Sequence, residues 1–216
     1  MWCIPNVTSE FLVNMNDVLE LYEKPFNKQE PVLCFDEKSK ELHGTTRETR
    51  YGKITKQDYE YKRNGVVNIF MTVEPLSGFR TVAVTDTRKR LDFAQEIKRI
   101  VRLPRYRKVK KIHIVLDNLN THNEKSLQEN LSDSWCKKIM SKIEFHHTPK
   151  HASWLNMAEV ELSIMSGQCT NKRIKDKESL MNEVQTWEEK RNTKKSTITW
   201  RFTKDDAKRV FKLGQN

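Results

Sequence analysis

The chain has 216 residues and a formal net charge of +11, with 36% of its residues hydrophobic and 32% charged. That is enough for one sizeable core with extensions, and the charged fraction fits a water-soluble protein. No apolar run approaches the roughly 18 residues that span a membrane. Glu10 and Asp17 stand where a secretory leader would be basic and then apolar, so the cytoplasm is the expected compartment.

Residues 7–24 are expected to form a helix. Phe11, Leu12, Met15, Val18, Leu19 and Tyr22 recur at three- and four-residue steps, with Thr8 or Ser9 as the cap. Pro25 and Pro31 bracket a connection. Val32-Leu33-Cys34-Phe35-Asp36 then reads as a strand buried on both faces, ending at Glu37-Lys38-Ser39. Residues 40–63, with Gly44 and Gly52, are polar and irregular and predict a loop or extended hairpin. Residues 66–73 and 79–84 predict two strands joined through Pro75-Leu76-Ser77-Gly78.

Asp86 or Thr87 is the expected cap of the next helix, which carries Leu91, Phe93, Ala94, Ile97, Ile100 and Val101 and ends at Pro104. A strand over 111–116 leads to Asp117. Short helices follow around 124–131 and 134–141, then a strand at 143–146. A long helix is expected over about 153–169, another over 177–191, and a last one over about 203–213. The order predicts a mixed α/β protein, antiparallel strands first and parallel crossovers after, as in an RNase H-like mixed sheet flanked by helices. Residues 1–30 form a helical lead-in to a main domain at 31–195, and 196–216 a helical extension.

Cys3, Cys34, Cys136 and Cys169 are scattered without C-x-x-C spacing, as expected of reduced, mostly core thiols. The positive charge favours a polyanionic partner, most commonly nucleic acid; on charge alone, a basic protein without such a partner is equally consistent. Lys98, Arg99, Arg102, Arg105, Arg107, Lys108, Lys110 and Lys111 form a run free of acids. Arg88-Lys89-Arg90 precede it, and Lys172, Arg173 and Lys175 follow the long helix. Such clusters neutralise phosphates; an isolated cluster is more often a solvated surface.

Three carboxylates point to phosphodiester chemistry. Asp36 closes an apolar strand, where an unpaired charge is costly and a metal or a basic partner is needed. Asp117 ends the second apolar strand, although a strand-end or capping aspartate would look the same. The third lies on the helix after His147-Thr148-Pro149-Lys150-His151-Ala152-Ser153. Leu155, Ala158, Leu162, Met165 and Cys169 make that helix's buried stripe, and Glu159 and Glu161 flank it on opposite sides, equally far from its centre. Periodicity leaves both open. His146, His147 and His151 belong to no compact four-ligand Cys/His set, so zinc is not expected there.

Several motifs resemble, in combination, the catalytic domain of bacterial insertion-sequence transposases related to mariner elements, the insertion sequence six-thirty family. They are Trp2-Cys3-Ile4-Pro5, Cys34-Phe35-Asp36-Glu37-Lys38-Ser39, Asp58-Tyr59-Glu60-Tyr61 with Arg63-Asn64-Gly65, Asp117-Asn118-Leu119-Asn120-Thr121-His122, the stretch from His147 through Trp154-Leu155-Asn156-Met157-Ala158-Glu159, and Trp200-Arg201-Phe202-Thr203. The resemblance implies an RNase H-like fold and a catalytic triad of Asp36, Asp117 and Glu159 that holds two magnesium or manganese ions. It selects Glu159 over Glu161.

It further implies cleavage of DNA at transposon ends and attack of the freed 3′-hydroxyl on target DNA at a TA dinucleotide, by a homodimer near the bacterial nucleoid. Asn118 and His122 would orient the second aspartate or contact a phosphate, and Trp154 and Asn156 would fix the glutamate helix. Arg102, Arg105, Arg107, Lys108, Lys110, Lys111, Lys172 and Arg173 would contact DNA. Two departures are visible. Lys38 stands where relatives often have a small hydroxyl residue, and the helix-turn-helix region expected ahead of the catalytic domain has no room before Trp2, as in a split reading frame, a truncated copy or an isolated catalytic part. Another RNase H-like nuclease and a non-catalytic DNA-binding remnant remain as alternative functions.

Overall fold

The computed structural model describes residues 7–46 and 59–212. The motif at Trp2-Cys3-Ile4-Pro5, Gly52, Asp58 and the helix end at Leu213 lie outside them. Five strands form one sheet in the order β3-β2-β1-β4-β5: β1 (Val32–Thr45), β2 (Tyr61–Glu74), β3 (Phe79–Thr85), β4 (Ile112–Leu116) and β5 (Ile143–His147). β1, β2 and β3 pair antiparallel, and β4 and β5 join parallel to β1. This is the expected RNase H-like mixed sheet.

Among the described residues seven α-helices flank it: α1 (Ser9–Glu23), α2 (Arg90–Arg102), α3 (Glu124–Asn130), α4 (Asp133–Lys142), α5 (Met157–Met165), α6 (Lys177–Thr193) and α7 (Lys204–Val210). Strand alternation sorts the core into two layers. Leu33, Phe35, Ile112, Ile114 and Leu116 face α2, α3 and α4; Cys34 and Val115 face α1, α5 and α6. Continuous apolar runs in β1 and β4 follow from burial on both faces. Cys34, Cys136 and Cys169 are buried free thiols, as expected. Among the described residues no helix is long and apolar enough to cross a membrane.

Three expectations need correction. β1 does not end at Glu37-Lys38-Ser39; it runs to Thr45 and pairs with β2 as far as Tyr61, with a bulge between Glu41 and His43. On that far ribbon the β2 residues 61–66 are exposed and Leu42 is the one large apolar side chain that β1 buries, so the stretch lacks apolar alternation and reads as loop. Neither Asp86 nor Thr87 caps α2. The cap is Lys89, whose N–H donates to Asp92 Oδ2 at 2.8 Å from within the first turn. The helix expected over 153–169 is broken into a 3₁₀ turn at Ser153–Leu155, α5, and a π turn at Ser166–Thr170. The reason is Asn156, which leaves helical geometry to cap α5 by accepting from the Ala158 N–H at 3.1 Å.

The β2–β3 turn is fixed by Gly78. Its φ is +68°, and a Cβ there would lie 2.5 Å from the backbone of Lys195. Glycine is therefore required both by conformation and by the close approach of the chain leaving α6.

Candidate active site

The parallel pairing of β1 with β4 sets Cys34 opposite Val115. Two residues further along each strand come Asp36 and Asp117. They are close enough for the charge of Asp117 to act on Asp36, and Asp36 shares the face of Cys34. This is the carboxyl-terminal end of β4 and of the part of β1 that pairs with it, where open α/β sheets present their sites. The start of α5 is tied to the same point: fully buried Asn156 donates from Nδ2 to the Phe35 carbonyl at 2.8 Å, one residue before Asp36. Glu159 lies in the first turn of α5.

Electrostatics place the three carboxylates in one another's fields. Burial pushes the Asp36 carboxyl up to about 7, and the charges of Glu37, Asp117 and Glu159 add to it, against the Glu37 N–H that donates to Oδ1 at 2.8 Å. Among the described residues no basic side chain forms an ion pair with Asp36 or Glu159. Asp117 behaves oppositely. Burial raises its carboxyl, but the hydrogen bond and charge of His122, with the Leu119 N–H at 3.1 Å, hold it below the ordinary aspartate value.

His122 is nearly fully buried, its Nδ1 2.6 Å from Asp117 Oδ1 and its Nε2 3.0 Å from Glu37 Oε2. Burial alone would lower its pKa; hydrogen bonds to Asp117 and Glu37, and their charges, lift it to about 9. It is an imidazolium clamped between two carboxylates. The ring packs against Phe35 and Phe93, at centroid distances of 5.5 and 4.9 Å. One Asp117 oxygen is thus occupied and oriented. Asn118 donates to the Thr148 carbonyl, and the Thr148 N–H returns a bond to Leu116 O at 2.9 Å, which holds the approach to α5 against the end of β4. Trp154 stacks on Trp200 and meets Phe202 edge-on, so it binds the 198–202 segment to the core.

Glu37 is the partner that sequence reasoning missed. Strand alternation offered the signal: next to Asp36 it must face the other way, beside Phe35, where a buried acid needs a cation. Glu161 is the second surprise. It is fully buried, with Arg80 Nε at 2.8 Å and Arg191 Nε and Nη2 at 2.9 Å each. The two acids equidistant from the α5 stripe therefore differ completely: Glu161 is neutralised in the interior and Glu159 is open toward Asp36.

The expected DNA-contact residues divide by position. Lys111 and Asp117 sit at opposite ends of β4, about 20 Å apart at 3.3 Å per residue. The run at Arg102, Arg107, Lys108, Lys110 and Lys111 is therefore at the far end of the sheet from the carboxylates. Arg105 in that run is engaged internally, donating to Glu74 at 2.8 Å and Ser77 at 2.9 Å. Lys172 and Arg173 lie on the carboxylate side, but Lys172 pairs with Glu183 at 2.7 Å and Arg173 donates to the Tyr59 and Glu60 carbonyls. Arg88, 3.7 Å from Glu37 and more than half exposed, is a cation at the carboxylate end.

A family model described as DDE superfamily endonuclease matches residues 31–181. Among solved structures, the chain is similar to a Mos1 mariner paired-end complex with Mn, at 13% identity and a TM-score of 0.60, covering 91% of this chain and 60% of that one. It is also similar to the Mos1 strand transfer complex, at 13% identity and TM-score 0.56, covering 90% and 64%. A third match is the mariner Mos1 paired-end complex with Mg, at 15% identity and TM-score 0.54, covering 98% and 64%. The chain thus spans under two thirds of the length of these relatives, and at such identity the likeness concerns the fold. No curated protein matches.

Proposed function

Because the chain belongs to the DDE superfamily endonuclease family, we propose that Asp36, Asp117 and Glu159 are its catalytic carboxylates and that its reaction is phosphodiester cleavage and strand transfer on DNA. The observation that carries this is the convergence of Asp36 within β1 and Asp117 just past β4 with a helix glutamate docked beside them through Asn156, without a basic partner on Asp36 or Glu159 among the described residues. Such a cluster fits divalent cations. All donors are hard carboxylate oxygens, suited to magnesium or manganese, and the Asp36 carboxyl is raised by burial and further by neighbouring negative charge that a cation would relieve. Two ions held by Asp36, Asp117 and Glu159 would supply the positive charge that in-line displacement at phosphorus needs on the attacking and leaving oxygens.

The chain's own residues supply orientation. His122, itself held by Glu37, fixes one oxygen of Asp117 and leaves the other free of that contact. Asn156 sets the height of Glu159 over β1. Arg88, the exposed cations at Arg102, Arg107, Lys108 and Lys110, and half-buried Lys111 are proposed as phosphate contacts, those of the run for duplex leading away from the reacting bond. The motif from His147 to Glu159 supports the insertion sequence six-thirty branch and a bacterial element. Two transposon ends must be held together for strand transfer, so a homodimer is part of the proposal.

The test is nicking of supercoiled DNA with magnesium or manganese, followed by joining of a pre-cut end to target DNA. Cutting in the parent that disappears in Asp117→Asn and Glu159→Gln is the expected result. Cutting that survives both substitutions overturns the assignment. Metal-independent DNA binding with no cleavage by the parent would instead support a non-catalytic remnant.

A further inference from the structure

A second group of metal-binding side chains lies on the outer part of the sheet, away from the strand-end carboxylates. The parallel register of β4 and β5 sets His113 opposite Glu144 and Val115 opposite His146. Paired positions share a face, so His113, Glu144 and His146 all project toward the side covered by α1. His113 Nδ1 and His146 Nε2 are 3.0 Å apart. The two oxygens of Glu144 lie 3.9 Å from these same nitrogens, one from each. The imidazoles are 18% and 6% exposed and the carboxylate 51%, so two screened nitrogens face one oxygen that reaches solvent.

Asp17 of α1 completes the arrangement. Its Oδ2 is 2.7 Å from His146 Nδ1. The carboxylate accepts a hydrogen bond from Nδ1–H, which leaves the Nε2 lone pair directed into the cluster. A carboxylate behind a histidine in this way fixes the tautomer and strengthens the nitrogen as a ligand. Two metal–nitrogen bonds of ~2.0–2.1 Å at a tetrahedral angle place the nitrogens about 3.3–3.4 Å apart, so the rings need part by only a few tenths of an ångström. His147 and His151, neighbours of His146 in sequence, take no part in this group; its partner comes from β4.

We propose that His113, Glu144 and His146 form a zinc-class site, with Asp17 as the outer partner of His146 and one coordination position open to solvent, that pins edge strand β5 and helix α1 to β4. Two imidazoles with one carboxylate favour zinc over magnesium, which separates this site chemically from the all-oxygen cluster at Asp36. The inference does not depend on the catalytic assignment.

The test is zinc titration of the purified chain in excess magnesium, by calorimetry and by competition with a chromophoric chelator, with cobalt(II) absorption as a spectroscopic probe of nitrogen–oxygen ligation. One equivalent is expected to bind. His113→Gln and His146→Gln should weaken binding at least about 100-fold and Asp17→Asn about 10–100-fold, while Asp36→Asn leaves it unchanged. Glu144→Gln changes a half-exposed residue that the fold does not need, and should weaken binding at least about tenfold with the same melting temperature in chelator. No saturable zinc binding by the parent overturns the proposal. So does affinity unchanged in both histidine variants and Glu144→Gln, or binding abolished by Asp36→Asn.

Discussion

Glu159 and Glu161 lie two residues apart on α5, and replacing each by glutamine should give opposite results. Glu161 has no solvent exposure and faces Arg80, also fully buried, and Arg191, 17% exposed. Glutamine keeps the shape and removes the charge, leaving two guanidinium groups uncompensated in the interior. Breaking a buried pair in this way costs about 3–5 kcal/mol. For a chain of this size each kcal/mol moves the melting temperature by about 2–4 °C, so Glu161→Gln should melt roughly 6–20 °C lower. Arg80 comes from β3, Glu161 from α5 and Arg191 from α6, so the loss would loosen three elements together.

Glu159→Gln removes a charge that has no basic partner among the described residues and that pushes the Asp36 carboxyl up. Its stability should stay within about 0.5 kcal/mol of the parent, and DNA cleavage should vanish. Thermal unfolding by circular dichroism and plasmid nicking, run on the same preparations, read both. A Glu161→Gln protein that melts with the parent would refute the role of the buried ionic triad. A Glu159→Gln protein destabilised as much as Glu161→Gln would show a structural glutamate and remove the third carboxylate from the proposed site.

Asp36→Asn should stabilise the metal-free protein at pH 8 but not at pH 4. The folded carboxyl, at about 7, binds its proton more tightly than the unfolded one at 3.8, so its stabilising contribution declines as pH rises from about 4 to 7. The full shift of about 3 units sets a ceiling near 4 kcal/mol, and partial exposure reduces the expected gain to about 1–2 kcal/mol; equal urea midpoint differences at both pH values would contradict it. His122→Gln should cost about 1–3 kcal/mol at pH 6 and progressively less toward pH 10. A histidine raised from 6.5 to about 9 stabilises fully below 6.5 and loses that effect through 9, while the depressed Asp117 keeps its contribution until pH falls below the ordinary aspartate value. A cost independent of pH in urea titrations would mean that the ring is held by packing alone. Asn156→Ala removes both the α5 cap and the bond to Phe35 O, and should lower stability by about 2–3 kcal/mol and slow cleavage; full activity would show that Glu159 is placed by other contacts.

The sheet was legible in the sequence where burial forces a pattern. Val32 to Asp36 and Ile112 to Asp117 are apolar because helices cover both faces, and the β2–β3 hairpin is bounded by a turn that only Gly78 can make. Where the sheet leaves the core, the pattern disappears. Lys38, Lys40 and Glu41 stand on a ribbon held by backbone pairing and exposed contacts, so nothing in their polarity distinguishes strand from loop. The break in the α5 region was hidden for a related reason: Leu155, Ala158 and Leu162 keep helical spacing across Asn156, although its side chain is spent on the Ala158 N–H and the Phe35 carbonyl.

At the proposed site, sequence singled out three carboxylates but not what surrounds them, because partners separated by many residues leave no local trace. Two acids equidistant from a hydrophobic stripe are distinguished only by what stands opposite. For Glu161 that is Arg80 and Arg191, far away in the chain, and for Glu159 it is another carboxylate. The same holds for His122, whose motif placed it near Asp117 while its second carboxylate, Glu37, comes from another strand. The basic run shows the converse. Its charge is obvious in sequence, but the length of β4 puts it about 20 Å from Asp117, so any phosphate it binds lies roughly six base-pair steps of duplex away from one held at Asp36, at about 3.4 Å per step. Charge density alone therefore marks one surface, and the pairing of β1 with β4 sets the proposed catalytic carboxylates at another.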